Sequence, residues 1–354
     1  MRQPVAAGMV DTVAARGPAA YLGAMSETPA FPSPAFLDPA RPPVPDLVVP
    51  RGITPFHLPG RPVRGRLVRL GPLAEALLTR HVTPAPVARL IGQALALAAG
   101  LASALKFQGS FSLQAKGDGP VPLLLADCTD AGALRGYARI APERLDALLA
   151  DDPAPAADRL LGKGFFAFTV DQGPDRHPHQ GIVVIEGGSL AAMALHYFRS
   201  SEQIDCAVHL ACDQTEAGWR AGALVLEKIA GAGGLDPALS DAEQEDSWRG
   251  ALALAGTLSD CELLDDALAP ETLLWRLFHA EGVAAARPRA LSYGCRCSRA
   301  RLSGILEGFP PEDLDHMAVD GEVVMTCEFC NLDFRFPRAE LRGRAAAPAS
   351  RVGE

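Results

Sequence analysis

The sequence predicts an α+β fold: a mixed core domain of sheets with packed helices, then a helical linker, then a small C-terminal unit built around four cysteines. Three observations lead there. Strand-like runs come in groups with single helical periods between them, which favours α+β over a regular βαβ repeat. Between residues 231 and 290 the chain turns acidic, with eleven Asp or Glu against four Arg and no Lys, in a helical pattern. Near the end, "YGCRCSRA" and "MTCEFCN" carry two close cysteine pairs with 29 residues between them.

Residues 1–46 are rich in Ala and Pro and hold no sustained period, so they are expected to be a disordered tail, within which Met25 ("MSETPAF") is a candidate start. The core is expected over 47–230. Its order begins near "RPVRGRLVRLG", where Val63 and Leu67 alternating with Arg64 and Arg66 predict a half-buried strand. Pro84 and Pro86 mark a helix start, and Val87, Leu90, Ile91, Ala94, Leu95, Ala98 and Leu101 recur at helical steps. "GSFSLQAKGDGPVPLLLADC" reads as two strands around a Gly-Asp-Gly turn, and "LRGYARI", "GFFAFTVDQGP" and "HQGIVVIEGG" as three more. Ser189 caps a helix whose stripe is Leu190, Met193, Ala194, Tyr197 and Phe198. "DCAVHLACDQ" and "GALVLEKIA" close the core. The linker, 231–290, opens with a capping box at Ser240 and Glu243, and Trp248, Leu252, Ala255 and Leu258 mark one face. Gly250 and Gly256 weaken that helix by about 1 kcal/mol each, so the linker is expected to be marginal. Pro270 and Glu271 start a further helix that presents Leu274, Leu277 and Phe278. The cysteine-bearing unit is expected over 291–342 and a second disordered tail over 343–354.

Composition excludes several roles. The most apolar stretch, Leu90 to Phe107, is mostly Ala and Gly interrupted by Gln93, and reads as a buried helix, not a membrane span. Pro4, Gly8 and Asp11 break the opening segment, so no secretory signal is expected. The eight cysteines are therefore expected in a reducing cytoplasm, where clusters point to metal or redox chemistry before structural disulfides. A net charge of -9 gives no general attraction to nucleic acid.

Cys295 and Cys297 form C-x-C, Cys327 and Cys330 form C-x-x-C, and two tight pairs across a loop are what a tetrahedral metal site needs. Soft thiolates select zinc, one Zn²⁺ per chain, and four sulfurs leave no open position for catalysis. An iron–sulfur cluster is the alternative, at odds with the usual cluster spacings. Metal-held thiolates also remain oxidisable, so loss of zinc would unfold the small unit.

The cysteine arrangement resembles that of the HslO family of redox-regulated heat-shock chaperones, the thirty-three-kilodalton chaperonins. The likeness extends to "LKFQG", "KGDGP", "LRGYAR", "QGIVVIEGGSLAAMALHYFRSSEQ", "LLWRLFH" and "CRCSRARL", in order over roughly residues 47–342. It departs in the long N-terminal tail, the Pro/Ala-rich "DDPAPAADR" and the extra Cys128, Cys206, Cys212 and Cys261. The resemblance implies a holdase, not an enzyme, that needs no ATP and is inactive while reduced and zinc-bound. Oxidation then joins Cys295 to Cys297 and Cys327 to Cys330, expels zinc, and unfolds the zinc unit and linker. The oxidised form holds unfolded client proteins and forms a homodimer, with no nucleic acid or membrane as partner.

Other motifs have simpler readings. Gly231–Gly234 is a hinge, since no phosphate-loop context surrounds it. Asp171, Asp175 and His177 fall in a Gly/Pro turn. Ser189 is a cap, and without a G-x-S-x-G elbow its neighbour His196 makes no hydrolase. Cys206 and Cys212, six apart in a strand, are core packing. The competing function is a constitutive zinc ribbon binding nucleic acid or a protein. Six Arg and no Lys against nine Asp or Glu between Leu291 and Arg342 argue against nucleic acid. A disulfide oxidoreductase would place its C-x-x-C at a helix start beside a βαβ pattern, which this C-terminal pair lacks.

Overall fold

A computed structural model of the chain describes residues 45–173, 176–229 and 240–343. The tail up to residue 44 with Met25, Asp175, the Gly231–Gly234 hinge with the 230/231 boundary, and the chain beyond 343 lie outside the described residues.

The fold is α+β as expected, around one 11-stranded sheet. Its strands are β1 (Val48–Leu58), β2 (Val63–Arg69), β3 (Ser110–Gly117), β4 (Leu123–Thr129), β5 (Ala133–Arg139), β6 (Gly164–Asp171), β7 (His179–Val184), β8 (Cys206–Thr215), β9 (Gly218–Lys228), β10 (Ala284–Ala285) and β11 (Arg289–Tyr293). The order is β7-β6-β3-β4-β5-β11-β1-β2-β9-β8, with β10 paired to β1. Every pairing is antiparallel except β11 with β5, where Ser292 faces Ala133 and Tyr293 faces Leu134. β11 thus joins two half-sheets late in the chain.

β1 lies outside the sequence expectation, because Pro50, Gly52 and Pro55 interrupt its pattern. A register shift between Val49 and Ile53 accommodates Pro50 and Gly52, while Pro55 keeps regular register opposite Arg66 of β2. A side chain at Gly52 would meet Leu291 Cγ at 2.6 Å, so glycine permits the close approach of β11. β2 is also not half-buried: Arg66 is only 7% exposed, paired at 2.7 Å with the buried Glu227. The strand is covered on both faces, so alternation gave the wrong reading.

One cover is α2 (Ala85–Ala104), preceded by the short α1 (Pro72–Leu78). α2 passes the length and composition test for a membrane-crossing helix, yet 78% of its apolar window is buried inside the protein. Side chains alternate across β9: Ala221, Ala223 and Val225 join the cluster around α2, while Leu224 and Leu226 join a second cluster. That second cluster is completed by α6 (Asp241–Ala255), α7 (Asp260–Leu264) and α8 (Pro270–Phe278). Trp248, Ala255, Leu258, Leu274, Leu277 and Phe278 are buried there against Phe56, Leu58, Val63 and Leu67. The Ser240–Glu243 capping box forms as expected. Gly250 is inside α6, but Gly256 is its C-cap, so only Gly250 carries the full helix-interior cost.

The half-sheet β3–β7 carries α3 (Pro142–Asp151), α4 (Ala157–Leu161) and α5 (Leu190–Tyr197). Ser189 Oγ accepts from Ala192 N at 3.2 Å, the cap the sequence predicts. α4 sits in the Pro/Ala-rich "DDPAPAADR" departure. After β11 come α9 (Arg299–Leu306), α10 (Pro311–Met317) and the hairpin β12 (Glu322–Thr326) with β13 (Asp333–Pro337). The expected 290/291 boundary falls inside β11, because residues 289–293 hydrogen-bond within the main sheet.

Candidate metal centre

The first cysteine pair sits between a strand end and a helix cap. β11 ends at Tyr293, and Gly294 N donates to Leu134 O at 2.7 Å. A side chain at Gly294 would lie 2.5 Å from the Ala133 carbonyl carbon, so only glycine lets the chain leave the sheet here. Cys295 and Cys297 follow, and Ser298 caps α9 by accepting from Arg301 N at 3.2 Å. The second pair occupies the β12–β13 turn. Cys327 N donates to Leu332 O at 3.0 Å, Asn331 N donates to Cys327 O at 2.8 Å, and Asn331 takes φ 54° to close the turn.

All four thiols predicted as ligands converge, with their Sγ atoms within 4.8 Å of one another. Separations are 3.3 Å for Cys295–Cys297, 3.6 Å for Cys295–Cys327 and 3.4 Å for Cys297–Cys330. Metal–sulfur bonds of about 2.3 Å in a tetrahedron place sulfurs about 3.8 Å apart, so the cluster fits a thiolate-bound metal with slight expansion. Cys295, Cys297 and Cys330 are buried and Cys327 half-buried. Hydrogen bonding with Cys297 holds Cys295 down at about 7, and contact with Cys295 pulls Cys327 down, while the same contacts push Cys297 and Cys330 up. A divalent cation held here would supply the charge that lets all four ionise together.

Residues the motif reading missed fasten this centre to the main sheet. Tyr137 Oη donates to Glu328 Oε2 at 2.7 Å, and Arg139 pairs with Glu328 Oε1 at 3.0 Å. Burial, then the Glu328 contact, push Tyr137 up to about 12. The Arg135 guanidinium lies 4.0 Å from the Phe329 ring centroid, and Tyr137 meets that ring edge-on at 5.1 Å. Asn331 Nδ2 donates to Arg80 O at 2.9 Å. Their signal was the identity of the two spacers in Cys-Glu-Phe-Cys, which a cysteine-only motif ignores.

The remaining cysteines stand apart. Burial pushes Cys128, Cys206 and Cys212 each up to about 12, whereas Cys261 is exposed on α7 beside Ser259 Oγ at 3.2 Å. Asp171 Oδ1 accepts from Gly173 N at 2.9 Å in a turn, and His196 lies 3.8 Å from Glu186, away from the thiols' elements.

Residues 52–337 match the model of the family described as Hsp33 protein. The chain belongs to the Hsp33 family. Among curated Hsp33 relatives, the 33 kDa chaperonin of Caulobacter vibrioides is 42% identical over 284 residues, covering 79% of this chain and 92% of that one. The 33 kDa chaperonin of Azotobacter vinelandii is 36% identical over 299 residues, 81% and 94% of the two chains. The crystal structure of the Thermotoga maritima 33 kDa chaperonin (heat shock protein 33 homolog) shares the fold with a TM-score of 0.65 at 22% identity, covering 82% of this chain and 96% of that one. A chaperone with four cysteines able to bind a metal is thereby established.

Proposed function

We infer that this Hsp33 chain is an ATP-independent, redox-switched holdase that binds unfolding proteins and prevents their aggregation in the cytoplasm under oxidative stress. We read residues 47–230 as its core, 231–290 as a metastable cover and the following unit, to 342, as the zinc switch. One observation carries this reading. The segment that covers an apolar sheet face, α6 to α8, and the first cysteine pair flank β11 in the chain, so the cover and the thiol centre share one anchor in the sheet.

In the reduced state Cys295, Cys297, Cys327 and Cys330 would hold one Zn²⁺, which supplies charge and a cross-link. Oxidation within each pair forms two S–S bonds and removes four electrons. Two equivalents of hydrogen peroxide accept them and, with four protons from solvent, leave as four water molecules. As disulfides the four cysteines could no longer hold a metal, whose binding would supply roughly 10–16 kcal/mol of support for a small domain. The Sγ separations alone do not select a pairing, and the local pairing follows the family likeness. Client binding, with formation of a homodimer, follows from exposure of the face beneath α6–α8.

The test uses the reduced chain. Elemental analysis should find one zinc per chain, and peroxide with mild heat should consume four thiols, free the zinc and switch on suppression of aggregation of a denatured test protein. Equal suppression before oxidation, or zinc retained after Cys→Ser change at all four positions, defeats the reading.

A further inference from the structure

The face beneath α6–α8 is patterned in charge as well as in apolar area. Along the outward side of β9 the residues are Arg220, Gly222, Leu224, Leu226 and Lys228, and along β2 they are Val63, Gly65, Leu67 and Arg69. On these two strands cations bracket an apolar centre, while on the neighbouring β8 Asp213 stands opposite Arg220, and Asp205 just before β8 lies 3.9 Å from Lys228. Among the described residues, four ion pairs and one histidine–carboxylate contact join this half-sheet to the 240–281 segment, and each puts the basic residue on the sheet side. They are Arg51–Glu271, Arg61–Glu281 at 3.0 Å, His209–Asp260 at 2.7 Å, Arg220–Asp266 at 2.5 Å and Lys228–Glu245 at 2.6 Å. The buried Arg69 adds hydrogen bonds to the Glu262 and Leu268 carbonyls. The segment's own bases, Arg249 and Arg276, pair inside it with Glu245 and Glu262.

The cover is therefore an apolar sequence flanked by acids, held by a surface complementary to it. We propose that, once uncovered, this face selects client segments of the same chemistry: apolar stretches of an unfolded protein flanked by Asp and Glu. The proposal rests on the holdase reading and adds the class of substrate. It runs against the molecule's overall charge, since a chain of net charge -9 should otherwise favour basic clients. Like charges facing across an interface are disfavoured and opposite charges favoured, so the cationic rim sets the preference while the apolar centre supplies the hold. While the chain is reduced, the tethered segment outcompetes clients through its high effective concentration.

The experiment uses the oxidised full-length chain and three fluorescent peptides with one shared apolar centre, flanked by Asp/Glu, by Lys/Arg or by Ser. Anisotropy at low salt should show the acidic-flanked peptide binding about tenfold more tightly than the basic-flanked one, a ratio shrinking toward one at about 0.5 M salt. The variant Arg51→Glu/Arg61→Glu, whose side chains are 53% and 40% exposed, should lower the ratio while still binding the Ser-flanked peptide. Equal binding of all three peptides, or preference for the basic one, overturns this inference and leaves the holdase reading intact. Binding of none, with no suppression of aggregation, overturns both.

Discussion

The two faces of β1, β2, β9 and β8 are covered by helices of opposite character. α2 is a single helix of 20 residues, dominated by Ala and Leu, and it packs so closely that a side chain at Gly92 would meet Cys212 Sγ at 2.3 Å. Its one ion pair to β8, Arg89–Asp213, is largely exposed. On the other face the cover is split into three helices, α6, α7 and α8, of 15, 5 and 9 residues; each carries acids in its first turn, and a rim of ion pairs surrounds Trp248, Leu274, Leu277 and Phe278. The first cover is interdigitated core, lost only on unfolding. The second has the apolar centre and polar rim of an interface, and on the proposed reading it leaves while the sheet stays folded.

The largest test of that contrast is removal of the metal. A chelator, or Cys330→Ser, should abolish amide exchange protection in β12 and β13 and sharply reduce it in α6–α8, with α2 unchanged. Persistent protection of the β12–β13 hairpin after metal loss would break the link between thiols and fold. Next come matched truncations in the two covers, each worth about 2–5 kcal/mol. Leu95→Ala, at a fully buried position, should lower the midpoint of global unfolding, whereas Phe278→Ala, equally buried, should chiefly speed exchange in α6–α8. If both act only on global unfolding, the two covers are one core and the distinction fails.

The sequence displayed these regions unequally. The period of α2 and the capping box of α6 were legible because each is a local pattern, and so were the four thiols. β1 was hidden by Pro50, Gly52 and Pro55; the fit of the first two depends on a register shift against β11, a partner more than 230 residues away. Arg66 misled for a related reason. Its neutralising partner Glu227 lies across a strand pairing that no local window contains. The hold of Tyr137 and Arg135 on Glu328 and Phe329 is likewise long-range, and cysteine spacing carries no trace of it.

A smaller test sharpens the comparison from the stabilising side. Gly250 is exposed inside α6, and a side chain there meets nothing within 4 Å, so Gly250→Ala should stabilise the helix by up to about 1 kcal/mol. More peroxide or higher temperature should then be needed before aggregation is suppressed. An unchanged threshold, despite slower exchange in α6, would remove the cover from the control of activity. The smallest effect belongs to the rim. Lys228→Gln removes a partly exposed pair with Glu245 and should show as modestly faster exchange in α6 alone.

The position of β11 has a consequence for biosynthesis. Strands β1 to β9 emerge from the ribosome first, yet β5 and β1 are joined only through β11, residues 289–293. Until those five residues are available, the nascent chain holds two half-sheets with β5 and β1 as open edges, a condition that invites wrong strand pairing. Native joining of the two half-sheets therefore waits for residues 289–293. Nascent chains stalled before Arg289 should remain protease-sensitive in β1 and β5, and chains extended past Tyr293 should not; resistance appearing before Arg289 would show that the halves join without their central strand.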